Sequence, residues 1–462
     1  MTALRPAAGP AGSVAGALAR NPLVLWAAFV ATHLVLGLLA LYAPGLPLGD
    51  VTYVYAFWMD QALSHNFWVG IDTAWVYPIL ALLPMLAAAV FGPAQYGATW
   101  LSLVMVLNAV AFGVLTGWGR RPDRIAVGWW WIAFLLLLGP IALGRIDSVT
   151  VPIALVGVLV VATRPLLASA LLTVGAWIKV WPAALVLAAV IAVRQRLRLV
   201  AGAALTTAVV LVGALLVGAS GTVFTFVTEQ TGRGLQIEAP VSTVWMWMTR
   251  AVVPGTRVYY DTGILTFQVE GPGSELAAAL TTPLLVIAVA AIAGLALWAL
   301  WRGAATGDLL PPLALALVTA LIAFNKVGSP QFLSWLAVPI VLGLATAAAG
   351  WGRPFRTPAV LGLVIAGLTQ LIYPYFYGGL LTLDIAMLSI LTARNVLYFV
   401  LLGWAIQAIV TAPRWSDAAL ETAALAEETG DSARPSVWTV HLADPADDGR
   451  SARARSTQTG KD

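Results

Sequence analysis

The feature that most limits the fold of this chain is a succession of apolar stretches running from Leu23 to Val410, each close to the ~20 residues that cross a bilayer. Such a chain cannot hide its apolar surface in one water-soluble core, and a single anchor or a surface attachment cannot account for so many stretches. Only 10% of the 462 residues are charged, against about 25% in an ordinary soluble domain. The alternating pattern of an outer-membrane barrel is missing. The expectation is an all-α polytopic membrane protein.

Composition narrows the chemistry. With no Cys, disulfides and thiol catalysis are excluded, and His33, His65 and His441 are too few for a His-rich metal site. The net charge of +4 does not point to nucleic acid, because the Arg residues fall in short clusters between apolar runs. Walker-type phosphate loops and Ser-His-Asp sets are absent, so ATP-driven transport has no support.

The positive-inside rule places Arg120, Arg121 and Arg124, Arg164, Arg194, Arg196 and Arg198, Arg302, Arg353 and Arg356, and Arg414 in the cytoplasm. Spans then fall at 22–43, 98–118, 125–143, 147–164, 166–180, 181–194, 199–219, 277–301, 309–325, 331–349, 357–376 and 390–411: about twelve, with both termini inside. Residues 1–21 read as a cytoplasmic N-terminus, 22–411 as the membrane domain and 412–462 as a disordered cytoplasmic tail too polar to fold alone. Parity makes 77–91 a membrane-grazing helix and divides 166–194 into two short crossings, broken near Lys179, Trp181 and Pro182. A contrary topology, in which 77–92 spans and 166–194 crosses once, reverses the side of Arg145, Asp147 and Arg164.

On the first topology the outer segments are 44–97, 220–276 and 326–330. Of the 21 acids, nine lie in the tail, and only Asp123 and Asp308 among the other twelve face inward. The outer face therefore holds the chemistry.

Asp50 follows the first span directly and precedes Tyr53, Tyr55, Phe57 and Trp58. A carboxylate at the lipid boundary is partly desolvated, which suits a general base; the plainer reading is a cap on the helix beginning near Val51. Arg145 and Asp147 sit in Gly144-Arg145-Ile146-Asp147-Ser148, either as a phosphate or sugar contact or as a self-satisfying pair closing a turn. Lys179, in Trp177-Ile178-Lys179-Val180-Trp181-Pro182, is a functional candidate as an ionisable residue in an apolar run, against snorkelling to the interface. In Thr231-Gly232-Arg233-Gly234-Leu235-Gln236-Ile237-Glu238, Arg233 suits phosphate, and Gln236 and Glu238 suit sugar hydroxyls; the alternative is a solvated loop. Asn325-Lys326-Val327-Gly328-Ser329-Pro330-Gln331 offers Lys326 and Gln331, or ordinary cap residues.

Taken in order, Asp50 after the first span, Tyr77-Pro78, Gly-Arg-Ile-Asp-Ser, Trp-Ile-Lys-Val-Trp-Pro, Thr-Gly-Arg-Gly-Leu-Gln-Ile-Glu and Asn-Lys-Val-Gly-Ser-Pro-Gln resemble the actinobacterial polyprenol-phosphate-mannose-dependent mannosyltransferases of glycosyltransferase family 87. The resemblance covers residues 22 to about 411. It implies a GT-C-type glycosyltransferase fold whose first outer loop carries short juxtamembrane helices and the catalytic acid, which falls on Asp50. It implies a polyprenyl-phosphate mannose donor, a mannosylated lipid or polysaccharide acceptor, and inversion at the anomeric carbon, so that a β-linked donor gives an α-mannoside. Lys179, Arg233, Lys326 and, on the first topology, Arg145 are the candidates to meet the leaving phosphate. No acidic cluster calls for a metal, and no cofactor is implied. The competing readings are a related enzyme using polyprenyl-phosphate arabinose, a transporter or flippase of a lipid-linked sugar, and a non-catalytic scaffold.

Overall fold

The structure is a computed structural model and describes Gly16, residues 18–229 and residues 232–413. The expected tail after Pro413, most of the N-terminal segment and residues 230 and 231 of the Gly-Arg-Gly loop lie outside the described residues.

Local signals start and stop the helices where the sequence changes character. Helix α1 (Pro22–Tyr42) begins at Asn21, whose side chain accepts from the Leu23 N–H at 2.9 Å, with Pro22 in the first turn. The chain turns back through a π-type turn (Asp50–Tyr55) into α2 (Ala56–His65). A short helix, Ile79–Ala88, ends in α3 (Leu82–Ala88), and α4 (Tyr96–Thr116) stops at Gly117 in the left-handed conformation. Next come α5 (Ile125–Leu138), α6 (Asp147–Val160), α7 (Pro165–Ile178), α8 (Ala183–Ala192) and α9 (Arg196–Leu216). The second outer segment holds α10 (Thr243–Arg250), and α11 (Ser274–Trp301), α12 (Thr306–Ala323), α13 (Ala337–Ala348), α14 (Arg356–Gln370) and α15 (Ile385–Val410) complete the bundle.

Among the described residues nine helices are long and apolar enough to cross a membrane. The spans expected at 147–164, 166–180 and 181–194 are instead helices of 14, 14 and 10 residues. At 1.5 Å per residue they reach only about 15–21 Å, short of the ~30 Å hydrocarbon layer. The physical cause of the last two is one break: Lys179 takes an extended conformation and Pro182 follows it. Residues 79–88 form another such short apolar helix. Buried fractions order the bundle, since α12 and the segment Pro330–Ala348 are 78% buried while α9 and α11 are 22% and 17% buried. The first two form the centre, and the last two present apolar side chains to lipid.

Tertiary contacts sort the connections into two ends. At one end Trp118 stacks on Trp26 (5.9 Å), Trp129 Nε1 donates to the Ala19 carbonyl (2.8 Å), Thr306 bonds the Ala192 carbonyl (2.8 Å) and Arg353 bonds the Thr411 carbonyl (3.2 Å). The far end of α1 opens onto the other, where the polar connections collect.

One element was not expected. The second outer segment contains a three-stranded antiparallel sheet in the order β1-β3-β2, with β1 (Leu235–Gln236), β2 (Arg257–Asp261) and β3 (Thr266–Glu270). Its hairpin turns at Asp261, whose carboxylate accepts from the Gly263 and Ile264 N–H groups (2.9 and 3.3 Å).

Candidate functional site

A cavity of about 720 Å³ opens at the polar end of the bundle. Most of the residues singled out from the sequence line it: Asp50, Arg145, Lys179, Arg233, Gln236, Glu238, Lys326 and Gln331. Asp147 does not.

Asp50 is placed by arginine. Its Oδ2 lies 3.0 Å from Arg145 Nε, with 41% of the Asp50 side chain exposed and 10% of Arg145. Arg145 Nη1 donates to the carbonyls of Pro47 (2.7 Å) and Gly144 (2.8 Å), and Nη2 donates to the Tyr373 hydroxyl at 3.2 Å. Tyr373 in turn donates to the Gly45 and Leu46 carbonyls, each at 3.3 Å. This closeness needs glycine at 144, where a Cβ would stand 2.5 Å from the Pro47 carbonyl oxygen. Burial works against the charge on Arg145, but Asp50 and Tyr373 outweigh it and hold the guanidinium above its ordinary pKa. The capping role for Asp50 is thus replaced, because Gly49 is the cap residue and makes no side-chain bond.

The self-satisfying Arg145–Asp147 pair is corrected too. Arg145 faces Asp50, and Asp147, 1% exposed, accepts from Trp335 Nε1 at 2.7 Å. Trp335 stacks on Trp181 (5.4 Å, 7°), so Asp147 supports an aromatic wall from behind. With three hydrogen bonds and an ion pair to Asp50 already committed, Arg145 holds Asp50 in place and has little left to offer a phosphate.

The cations collect on another wall. Lys179 marks the break after α7, with Nζ 4.6 Å from the centre of the Tyr77 ring and 5.6 Å from that of Phe332. Arg233 Nε is buried with no hydrogen-bond partner among the described residues. Burial lowers the Arg233 pKa against the pull of Tyr77, Glu229 and Asp261. Lys326, 7% exposed, is lowered by burial first and then by the nearby Arg233 charge. Two part-buried cations, one of which disfavours the charge of the other, make a place where an anion is favoured.

Glu238 departs from the sugar-contact reading. It lines the cavity, yet its carboxylate receives Arg394 Nη1 at 2.7 Å, and both side chains are 2% exposed. Burial raises the Glu238 pKa while Arg394 opposes the rise. The alternative of a solvated loop gives way to a segment tethered from Gln236 to Ala239. Gln236 N–H donates to the Lys326 carbonyl (3.1 Å), and Ile237 N–H donates to Phe267 of β3 (3.2 Å). Gly328 packs against the backbone of Glu238 and Ala239 so closely that any Cβ would collide.

The remaining lining is aromatic and apolar: Tyr55, Trp58 and Tyr77 beside Asp50, Tyr260 and Phe267 from the hairpin, and Thr281, Thr282 and Leu285 of α11. The Tyr55 hydroxyl receives the Ile146 N–H at 3.3 Å and stands 3.4 Å from the Tyr77 hydroxyl. Burial, then Tyr77 and Asp50, push the Tyr55 phenol well up, so it stays neutral.

Sequence reasoning missed Tyr373, Tyr377 and Arg394. For Arg394 the signal was present, a lone charge inside the apolar run that became α15. For the hairpin it was the alternation about Asp261-Thr262-Gly263. For the two tyrosines no local pattern marks them. Among the described residues no three His, Asp or Glu side chains gather as a metal site.

A many-helix membrane protein with a carboxylate and several cations in one cavity is the class that fold and site define. The chain belongs to glycosyltransferase family 87, whose family model matches residues 75–330. That stretch holds Arg145, Asp147, Lys179, Arg233, Gln236, Glu238 and Lys326; Asp50 precedes it and Gln331 follows it. No curated protein and no solved structure shows a significant match. The protein is thus a glycosyltransferase of the membrane.

Proposed function

We propose that this chain transfers mannose from polyprenyl-phosphate mannose to a glycolipid or cell-envelope polysaccharide, with inversion, on the extracytoplasmic face of the plasma membrane. The observation that carries the reading is one cavity that brings Asp50, 41% exposed beside its Arg145 partner, together with Lys179, Arg233 and Lys326. The reading takes Asp147–Val160, Pro165–Ile178 and Ala183–Ala192 as short crossings beside the nine long helices, and the positive-inside rule then assigns the Arg-rich connections to the cytoplasm and this cavity to the outer face.

In the reaction, Asp50 removes the proton from an acceptor hydroxyl as that oxygen attacks the sugar C1. The C1–O bond to phosphate breaks, and its electron pair leaves with the polyprenyl phosphate. Lys179, Arg233 and Lys326 stabilise the charge that grows on the departing oxygen, and Gln236 and Gln331 supply amides for sugar hydroxyls. Arg145 fixes Asp50 and leaves its Oδ1 with no protein hydrogen bond among the described residues.

The test is transfer of labelled mannose from polyprenyl-phosphate mannose to membrane glycolipids, comparing the natural chain with Asp50→Asn. Label with the natural chain alone supports the reading; full activity in Asp50→Asn overturns the base assignment. If only the arabinose lipid donates, the sugar is reassigned. Movement of intact lipid-linked sugar in proteoliposomes, with no glycosidic bond formed, makes the protein a transporter.

A further inference from the structure

We propose that Arg394, on the last span and outside the cavity lining, is the positioning residue that sets the donor-phosphate wall. The inference rests on the transferase reading above and adds a residue to it.

Arg394 is joined to one segment at several points. Nη1 donates to the Glu238 carboxylate and Nη2 to the Glu238 main-chain carbonyl, each at 2.7 Å, while Nε and Nη2 reach Asn395 Oδ1 at 3.2 and 3.1 Å. Asn395 Nδ2 then donates to Thr243 Oγ1 at 2.8 Å. Adjacent residues of α15 thereby grip the segment 238–243 at both ends. A lysine offers one point charge where this fork reads a side chain and a backbone oxygen together.

What the grip holds is the wall with the cations. Ser242 Oγ donates to the Gln236 carbonyl at 2.6 Å, and the Gln236 N–H bonds the Lys326 carbonyl. Arg233 lies three residues before Gln236. A shift of Glu238 away from α15 therefore moves Gln236, Lys326 and Arg233 together. Asp50 is held independently, by Arg145. Loosening Arg394 should weaken capture of the phosphate and leave the base in place.

The experiment measures, on the full purified chain, the Kd for polyprenyl monophosphate, the donor KM and kcat, and the melting temperature. For Arg394→Lys the expected result is a Kd and donor KM each raised about tenfold with kcat within about threefold. Asn395→Ala, which keeps the partner of Glu238, should raise both about twofold. A purely structural role lowers the melting temperature in both variants and leaves Kd and KM at the natural values, which overturns the proposal. A drop in kcat with Kd unmoved overturns it as well. If Arg394→Lys does not fold, Asn395→Ala decides alone, and an unchanged Kd there is negative. A natural chain that transfers sugar while both variants bind normally refutes the positioning role only. One that neither binds polyprenyl phosphate nor transfers refutes the transferase reading and this proposal with it.

Discussion

Two arginine–carboxylate pairs border the same cavity and differ in how much water they see. In Arg145–Asp50 the acid side chain is 41% exposed, whereas in Arg394–Glu238 both partners are 2% exposed. The first arginine makes three hydrogen bonds, to Pro47, Gly144 and Tyr373, beside its ion pair, and leaves its acid open on one side. The second wraps its acid and the backbone behind it. The comparison teaches that the more strongly held carboxylate is the poorer candidate for chemistry, because a base needs a lone pair that its partner does not consume. A buried ion pair contributes less to stability than its geometry implies, yet breaking one side of it is costly.

The largest effect expected from breaking the comparison is on turnover. Asp50→Asn, which keeps the side-chain shape beside Arg145, should lower kcat by roughly 10²–10⁴-fold with little change in melting temperature. Comparable activity would move the base elsewhere, and Glu238→Gln would then be the variant to assay. Next is Arg394→Leu, which strands Glu238 and should cost roughly 3–5 kcal/mol of stability, read by unfolding in detergent. An unfolding midpoint like that of the natural chain would mean that the pair holds nothing. Arg145→Lys cannot keep the three hydrogen bonds together with the ion pair, so kcat should fall about tenfold while donor KM stays level; a rise in KM instead would make Arg145 a phosphate ligand after all.

The smallest effect is the pH dependence of donor capture. Burial and Arg233 hold the Lys326 pKa below its ordinary value, so its charge is present at low pH and lost as pH rises through that lowered value. Affinity for polyprenyl phosphate should therefore fall on the alkaline side earlier than for an ordinary lysine. Lys326→Arg should carry that limb upward, since guanidinium stays charged. A limb that does not move assigns the titration to another group.

Much of the architecture was legible because apolar length is a one-dimensional signal. The break at Lys179, the short apolar helix at 79–88 and the gathering of Asp50, Lys179, Arg233 and Lys326 follow from apolar stretches and charge placement. Pairing was not legible. Arg145 stands two residues from Asp147 and bonds Asp50, 95 positions earlier, because the turn faces the loop after α1. Glu238 reads as a loop acid until α15 brings Arg394 to it across 156 positions. Ion-pair choice depends on which helix ends meet, and local spacing carries no record of that.

The cavity also descends. Its lining takes in Thr281, Thr282 and Leu285, and Leu285 lies eleven residues, about 16 Å of helix, from the start of α11 at Ser274. Aromatic and apolar side chains share the lining with the charges, whereas mobile ions screen over roughly 8 Å at physiological strength and only where water admits them. Attraction between the cationic wall and a lipid phosphate should therefore persist in concentrated salt that abolishes surface steering. A substrate already dissolved in the bilayer meets these charges without first being lifted into the ionic medium.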